Sequence, residues 1–217
     1  MPRATRTTKE VDHVKEEILE AALQIIVEDG FQNLSMRNIA EKLGMTAANI
    51  YNYYTNKDEL YILIRTRGFE LYYEYLNTAY RKHDNHHDRL RAMIRAYIDF
   101  GISYPSYYDI MFTDRETPKF NDYFGTEMEP LSFMEKQTAL KSFYLVFNTI
   151  HHYLRGEGCS EVDAMYKTIQ VWCDLNGVVS LYNSRLLHEV VENVDEILEL
   201  MVSDVTKRYI LSSNQEE

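Results

Sequence analysis

Apolar side chains along this chain recur every three to four residues almost throughout. No stretch alternates with the period of two that a half-buried strand needs, so the pattern predicts helices from end to end. Val14, Ile18, Ala21, Ala22, Ile25 and Ile26 form the stripe of a first helix. Gly30 is placed to end it in a left-handed turn, with Phe31 folding back on Ile26. Ser35 reads as the N-cap of a second helix, with Leu34 and Ile39 as a hydrophobic staple. That helix carries Ile39, Ala40 and Leu43 and stops at Gly44. Thr46 repeats the pattern for a third, with Met45 stapled to Ile50. Asn56 and Glu59 make a capping-box-like pair that opens a long fourth helix through Leu60, Ile64 and Leu71 to about Arg81.

Beyond that point DNHHD (84–88) reads as a loop. Leu90, Ile94, Tyr97 and Ile98 mark a helix that must end near Tyr104, because Pro105 follows. YPSYYDIMF predicts a short aromatic helix, and a polar connection runs through Pro118, Gly125 and Pro130. Leu140, Phe143, Tyr144, Phe147 and Leu154 define another helix, ended by GEG at 156–158. Two long helices finish the chain. One carries Met165, Ile169, Trp172 and Val179; the other carries Val190, Val194, Ile197, Met201, Val205 and Tyr209. The fold class is all-α. A three-helix domain over 10–56 is joined by a long helix to a larger helical body, 57–213.

Two short helices joined by a glycine turn, each with a fixed start, describe a helix-turn-helix, whose second helix enters the major groove of DNA. With Ile50 and Tyr54 turned inward, Ala48 and Asn52 face outward, flanked by Asn49 and Tyr51. Ala47 and Ala48 allow close approach. The hydroxyls of Thr46, Tyr51 and Tyr53 suit phosphates, and Asn49 or Asn52 suits a base edge. The expected DNA-facing set is Ser35, Met36 and Arg37 from the first helix of the pair, then Thr46, Ala47, Ala48, Asn49, Tyr51, Asn52, Tyr53 and Lys57.

The net charge of −11 argues against nucleic acid until it is divided along the chain. Residues 1–67 hold 9 Lys/Arg against 10 Asp/Glu, whereas residues 68–217 hold 14 against 24. A near-neutral head, with Arg3, Arg6 and Lys9 at its tip, is joined to an acidic body, which fits two separate tasks. Cys159 and Cys173 are too few for a disulfide framework, no apolar run suggests a signal peptide, and none approaches the roughly 20 residues that cross a bilayer. A soluble cytoplasmic protein is expected.

The run from 14 to 64, with SMRNIAEKLGMTAANIYNYYTNKDEL at its centre, resembles the DNA-binding domain of the TetR family of bacterial transcriptional regulators. Ile39, Ala40, Gly44, Thr46, Ile50, Tyr51, Lys57 and Leu60 match that family's pattern, and Tyr54 stands where it usually has Phe. FGISYPSYYDIMF (100–112) and WCDLNG (172–177) resemble a subclass of its ligand-binding domains marked by His-Pro-aromatic and Trp-x-x-x-His-Gly segments. Tyr104 and Asn176 replace the two histidines here. The resemblance implies a homodimer through the last two helices and a pocket for a small molecule among the central ones. It further implies a repressor released from a palindromic DNA operator when that effector binds. Candidate pocket residues are Tyr97, Phe100, Tyr104, Tyr108, Phe112, Phe143, Phe147, Trp172 and Asn176, although for any single aromatic ordinary packing is the plainer reading.

Other chemistries find little support. His86 and His87, or His151 and His152, are adjacent and diverge on a helix; His83 and His87 straddle the expected loop. No metal or cofactor is therefore expected. Cys159 reads as exposed and Cys173 as a core thiol. No glycine-rich phosphate loop, Gly-x-Ser-x-Gly or His-Glu-x-x-His is present. The expected function is thus regulation and not catalysis. Alternatives are a TetR-like interaction or small-molecule-binding module without operator binding, or an all-α enzyme.

Overall fold

The computed structural model describes residues 7–154, 158 and 160–210, and among them there is no strand. The helices are α1 (Thr8–Asp29), α2 (Met36–Lys42), α3 (Ala47–Ile50), α4 (Lys57–Arg81), α5 (His86–Ser103), α6 (Pro105–Tyr108), α7 (Glu129–Leu154), α8 (Glu161–Asn183), α9 (Leu186–Val190) and α10 (Val194–Ile210). Arg3, Arg6, Cys159 and the first two residues of GEG lie outside the described residues, as does the Tyr209 side chain.

The chain forms two compact units, Met1–Gly68 with Asp109–Gln137, and Phe69–Tyr108 with Thr138–Glu217. In the first, α1 packs on α2 and α2 on α3. Ile18, Ala22, Leu34, Ile39, Ile50, Leu60, Tyr61 and Ile64 are buried there. In the second, α5, α8 and α10 pack on one another and bury Leu90, Ile94, Ile98, Val171, Leu175, Val179, Leu198 and Val202. Gly101 sits where α5 meets α8. A Cβ there would lie 2.4 Å from Val179 Cγ1, and its carbonyl accepts from Asn183 Nδ2 at 3.1 Å.

Several expectations need correction. Gly30 has a positive φ of 83° but a ψ of 160°, a region open in practice to glycine alone. The chain passes from it into a 3-10 turn, Phe31–Asn33, where Phe31 meets the Tyr61 ring. Asn56 Oδ1 does accept from the Glu59 amide at 2.9 Å, but the Glu59 carboxylate reaches the Thr55 amide, one residue before the expected partner. DNHHD is only half a loop, because Asn85 caps α5 by accepting from the Asp88 amide at 2.8 Å. Pro130 lies inside the first turn of α7, where its missing N–H costs nothing. Val190 ends the separate short helix α9 and is 78% exposed, so it is not part of the final stripe.

Candidate nucleic-acid interface and aromatic core

The short helices sit as their caps require. Ser35 Oγ accepts from the Asn38 amide at 3.1 Å and Thr46 Oγ1 from the Asn49 amide at 3.2 Å. Between them Gly44 takes a φ of 64°, the left-handed turn that sets one helix against the next. Regular α-helix covers only Ala47–Ile50. The hydrogen bonds then continue as a mixture, Tyr51 N to Ala47 O, Tyr53 N to Ile50 O and Tyr54 N to Ile50 O, so Asn52 and Tyr53 lie in a tightened turn and not in a full helix. Asn and Tyr are weak helix formers, and four in a row, Tyr51 to Tyr54, favour that ending.

Two anchors hold this segment. Ile50 is fully buried, and Tyr54 is buried with its hydroxyl donating to the Lys15 carbonyl of α1 at 3.3 Å. Burial, then Glu16 and Glu59, push the Tyr54 hydroxyl up to about 12, so it remains a donor. With the anchors inside, Thr46, Ala48, Tyr51 and Asn52 are exposed, Tyr51 to 57%. Ala47, Asn49 and Tyr53 are half-buried. On α2, Arg37 is exposed and Ser35 half-buried, but Met36 is buried, so its side chain belongs to the core and not to the outer face. Lys57 is half-buried, its ammonium 4.6 Å over the Phe31 ring.

In the second unit five of the expected pocket residues come together. Tyr97 and Tyr108 hydroxyls lie 3.1 Å apart, and Tyr108 donates to Asn176 Oδ1. Since each hydroxyl has one proton, the order of donation is Tyr97 to Tyr108 to Asn176. The Phe100 ring is 5.7 Å from Tyr104. Sequence reasoning missed Tyr72 and Tyr75, which complete the cluster from α4. Tyr72 lies 5.7 Å from Tyr97 and 5.2 Å from Phe100, and Tyr75 lies 5.8 Å from Tyr104. The signal for Tyr72 was the helical register Phe69, Tyr72, Leu76, Ala79, and Tyr75 follows Tyr72 by three residues, just under one turn. Burial, reinforced by Tyr72 and Tyr108, pushes the Tyr97 hydroxyl well above the usual phenol range.

Of the remaining four, Trp172 reaches the edge of that cluster through the Tyr97 hydroxyl. Phe143 meets Trp172 at 6.5 Å, with Trp172 42% exposed, and Phe147 stacks on His151. Phe112 belongs to the other compact unit. Cys173 is exposed, because it points out from α8 beside a buried Leu175 and Val171; the core reading of it was wrong. Among the described residues no set of three His, Cys, Asp or Glu side chains could hold a metal, and no helix is long and apolar enough to cross a membrane.

A capped pair of short helices with a hydroxyl- and amide-bearing outer face, in a chain with a separate helical body, defines the helix-turn-helix class of DNA-binding regulators. Residues 18–64 match the model of the bacterial regulatory proteins of the tetR family, and residues 90–205 match the tetracyclin repressor-like C-terminal domain. The chain belongs to the TetR family of bacterial transcriptional regulators.

Among curated proteins, the HTH-type transcriptional activator FasR of Mycolicibacterium smegmatis is 28% identical over 89 residues. That match covers 41% of this chain and 41% of FasR, so the chain spans less than half the length of this relative. A tetR-family regulatory protein from Rhodococcus RHA1 shares the fold with a TM-score of 0.71 and 15% identity, over 94% of this chain and 98% of that one. FadR from Bacillus subtilis, solved in complex with stearoyl-CoA, does so with a TM-score of 0.67 and 12% identity, over 90% and 97%.

Proposed function

We propose that this regulator acts in the cytoplasm as a homodimeric repressor that reads a palindromic operator and leaves it when a small molecule binds the body. Residues 10–56 form the reading head and 57–213 the effector and dimerisation body. The observation that carries the reading is the outer face Thr46, Ala48, Tyr51 and Asn52, held outward by the buried Ile50 and Tyr54. Thr46, Tyr51, Tyr53 and Lys57 meet phosphates, while Asn49 and Asn52 meet base edges, with Ser35 and Arg37 contacting the flanking backbone. Two such heads about 34 Å apart, or a multiple of that, match successive turns of one DNA face. An effector that favours another spacing lowers affinity by its differential binding to the two states.

The effector site is the cluster around Tyr97, Phe100, Tyr104, Tyr108 and Asn176, with Trp172 at its edge. The test is fluorescence anisotropy on labelled duplex from a random-sequence selection, titrated with salt and unlabelled random DNA. Binding near or below about 10 nM that resists competitor supports operator reading. Tyr51→Ala and Lys57→Ala should weaken all duplexes alike, whereas Asn52→Ala should change preference at particular base pairs. Weak binding that random DNA competes away equally would reject operator reading and leave an interaction module.

A further inference from the structure

Lys57, Tyr61 and Arg65 are spaced four residues apart and so share one face of α4. Side chains from elsewhere in the same compact unit occupy that face in order. Phe31 packs under the Lys57 ammonium at 4.6 Å and meets the Tyr61 ring edge-on at 4.8 Å. The Arg65 guanidinium lies 5.6 Å from the Tyr61 ring. Arg65 in turn binds Glu135 of α7, Nη2 to Oε1 at 3.0 Å, and donates from Nη1 to the Pro118 carbonyl at 3.2 Å. The neighbouring Asp58 accepts from Tyr123 at 3.3 Å. The segment 109–137 thus grips α4 at two points, and the far end of the same side-chain row is the residue expected on phosphate.

The pair is deeply placed, with 8% of the Arg65 side chain and 1% of the Glu135 side chain exposed. Removing both charges from water costs several kcal/mol before their attraction is counted, and apolar residues of the same volume often stabilise as well or better. Burial does push the Glu135 carboxyl up, against the pull of Arg65 and Lys119. A buried pair of this kind is a poor device for bulk stability. It is a good device for geometry, because a guanidinium fork accepts few orientations.

We propose that Arg65 and Glu135 are positioning residues for DNA binding. By clamping α4 to the 118–135 segment they fix, through Tyr61 and Phe31, where Lys57 stands. This rests on the DNA-binding reading above and adds to it the residues through which movement of α7 would reach the head.

The test is a double-mutant cycle on a labelled random-sequence duplex at low salt, with Lys57→Ala introduced into the wild type and into Arg65→Met/Glu135→Leu, which keeps the core filled. In the wild type Lys57→Ala should weaken binding roughly three- to tenfold, as loss of one phosphate contact does. In the apolar background the same change should cost less than about twofold, because Lys57 is no longer held in place. Equal losses in both backgrounds overturn the proposal. Should the apolar pair fail to fold, Glu135→Gln serves in its place: it keeps the volume but removes the charge that holds the guanidinium, so the cost of Lys57→Ala should again fall, and an unchanged cost overturns the proposal. A DNA-independent readout separates the two claims. The 13C-methyl signal of reductively methylated Lys57, identified with Lys57→Arg, is shifted by the Phe31 ring in the wild type and should lose that shift in the apolar background. A wild type that ignores duplex would reject the DNA reading alone; an unmoved Lys57 signal would reject the positioning role.

Discussion

One hydroxyl distinguishes Tyr54 from the phenylalanine usual at its position in the family, and its bond to the Lys15 carbonyl ties the end of the third helix to α1. Tyr54→Phe should lower stability by about 1 kcal/mol, the net worth of one such hydrogen bond, read as a lower urea midpoint at unchanged slope. With the hydroxyl pushed up to about 12, the difference should be constant across neutral pH. A variant as stable as the wild type would mean that water serves the Lys15 carbonyl equally well. The inward turn of Ile50 and Tyr54, and hence the exposure of Tyr51, was legible in the sequence, because helical spacing fixes which side chains share a face. The partner of Tyr54 was not, since it lies 39 residues away. Met36 failed for a related reason: its place beside an N-cap suggested the DNA side, but only packing of α2 on α1 decides which side is inner.

Helices α4, α5, α7, α8 and α10 were readable because long apolar stripes outweigh local ambiguity. The short α9 had too few turns to show a period, and the start of α5 was hidden by histidines that carry no strong preference. That start now has a titratable contact. The His86 ring lies 4.4 Å from His152 of α7, and burial, then the charges of His152 and Arg89, hold its pKa below the usual histidine value. The unfolded chain therefore takes up the proton first as pH falls. The His86 contribution is complete above about pH 6.5 and is lost as pH drops below it toward the folded value. Thermal melts between about pH 7 and 5 should fall less steeply for His86→Phe than for the wild type. Parallel curves would exclude His86 as a source of acid sensitivity. The α5–α8 crossing has a steric counterpart. Gly101→Ala places a methyl 2.4 Å from Val179 Cγ1 and 3.1 Å from Tyr108, which should cost about 1–3 kcal/mol. Val179→Ala should restore part of that loss, and a Gly101→Ala variant of full stability would show that the two helices separate freely.

A homodimer needs a self-complementary face, and α8 offers one that the isolated protomer leaves open. Val162, Tyr166, Ile169 and Cys173 are exposed and step by four, three and four residues, the spacing of one helix face. Gly177 and Ser180 extend the row with little or no side chain, and Leu200 of α10 is exposed as well. Large apolar groups left in water call for a partner, and small ones beside them let two helix axes approach closely. A Cβ at Gly177 would meet nothing within 4 Å inside the protomer. No neighbour in one chain therefore demands a glycine in the Trp-x-x-x-Asn-Gly segment, and a second copy is the simplest reason for its size. Gly177→Leu separates the two explanations. Leucine is the better helix former by nearly 1 kcal/mol, so the protomer should melt no lower than the wild type at equal oligomeric state. If α8 pairs with its twin across a two-fold axis, each new side chain enters the contact twice and sedimentation equilibrium should give a dimer at least tenfold weaker. Operator affinity should fall with it, since one head alone holds a half-site. A Gly177→Leu dimer as tight as the wild type would move the interface elsewhere on the body.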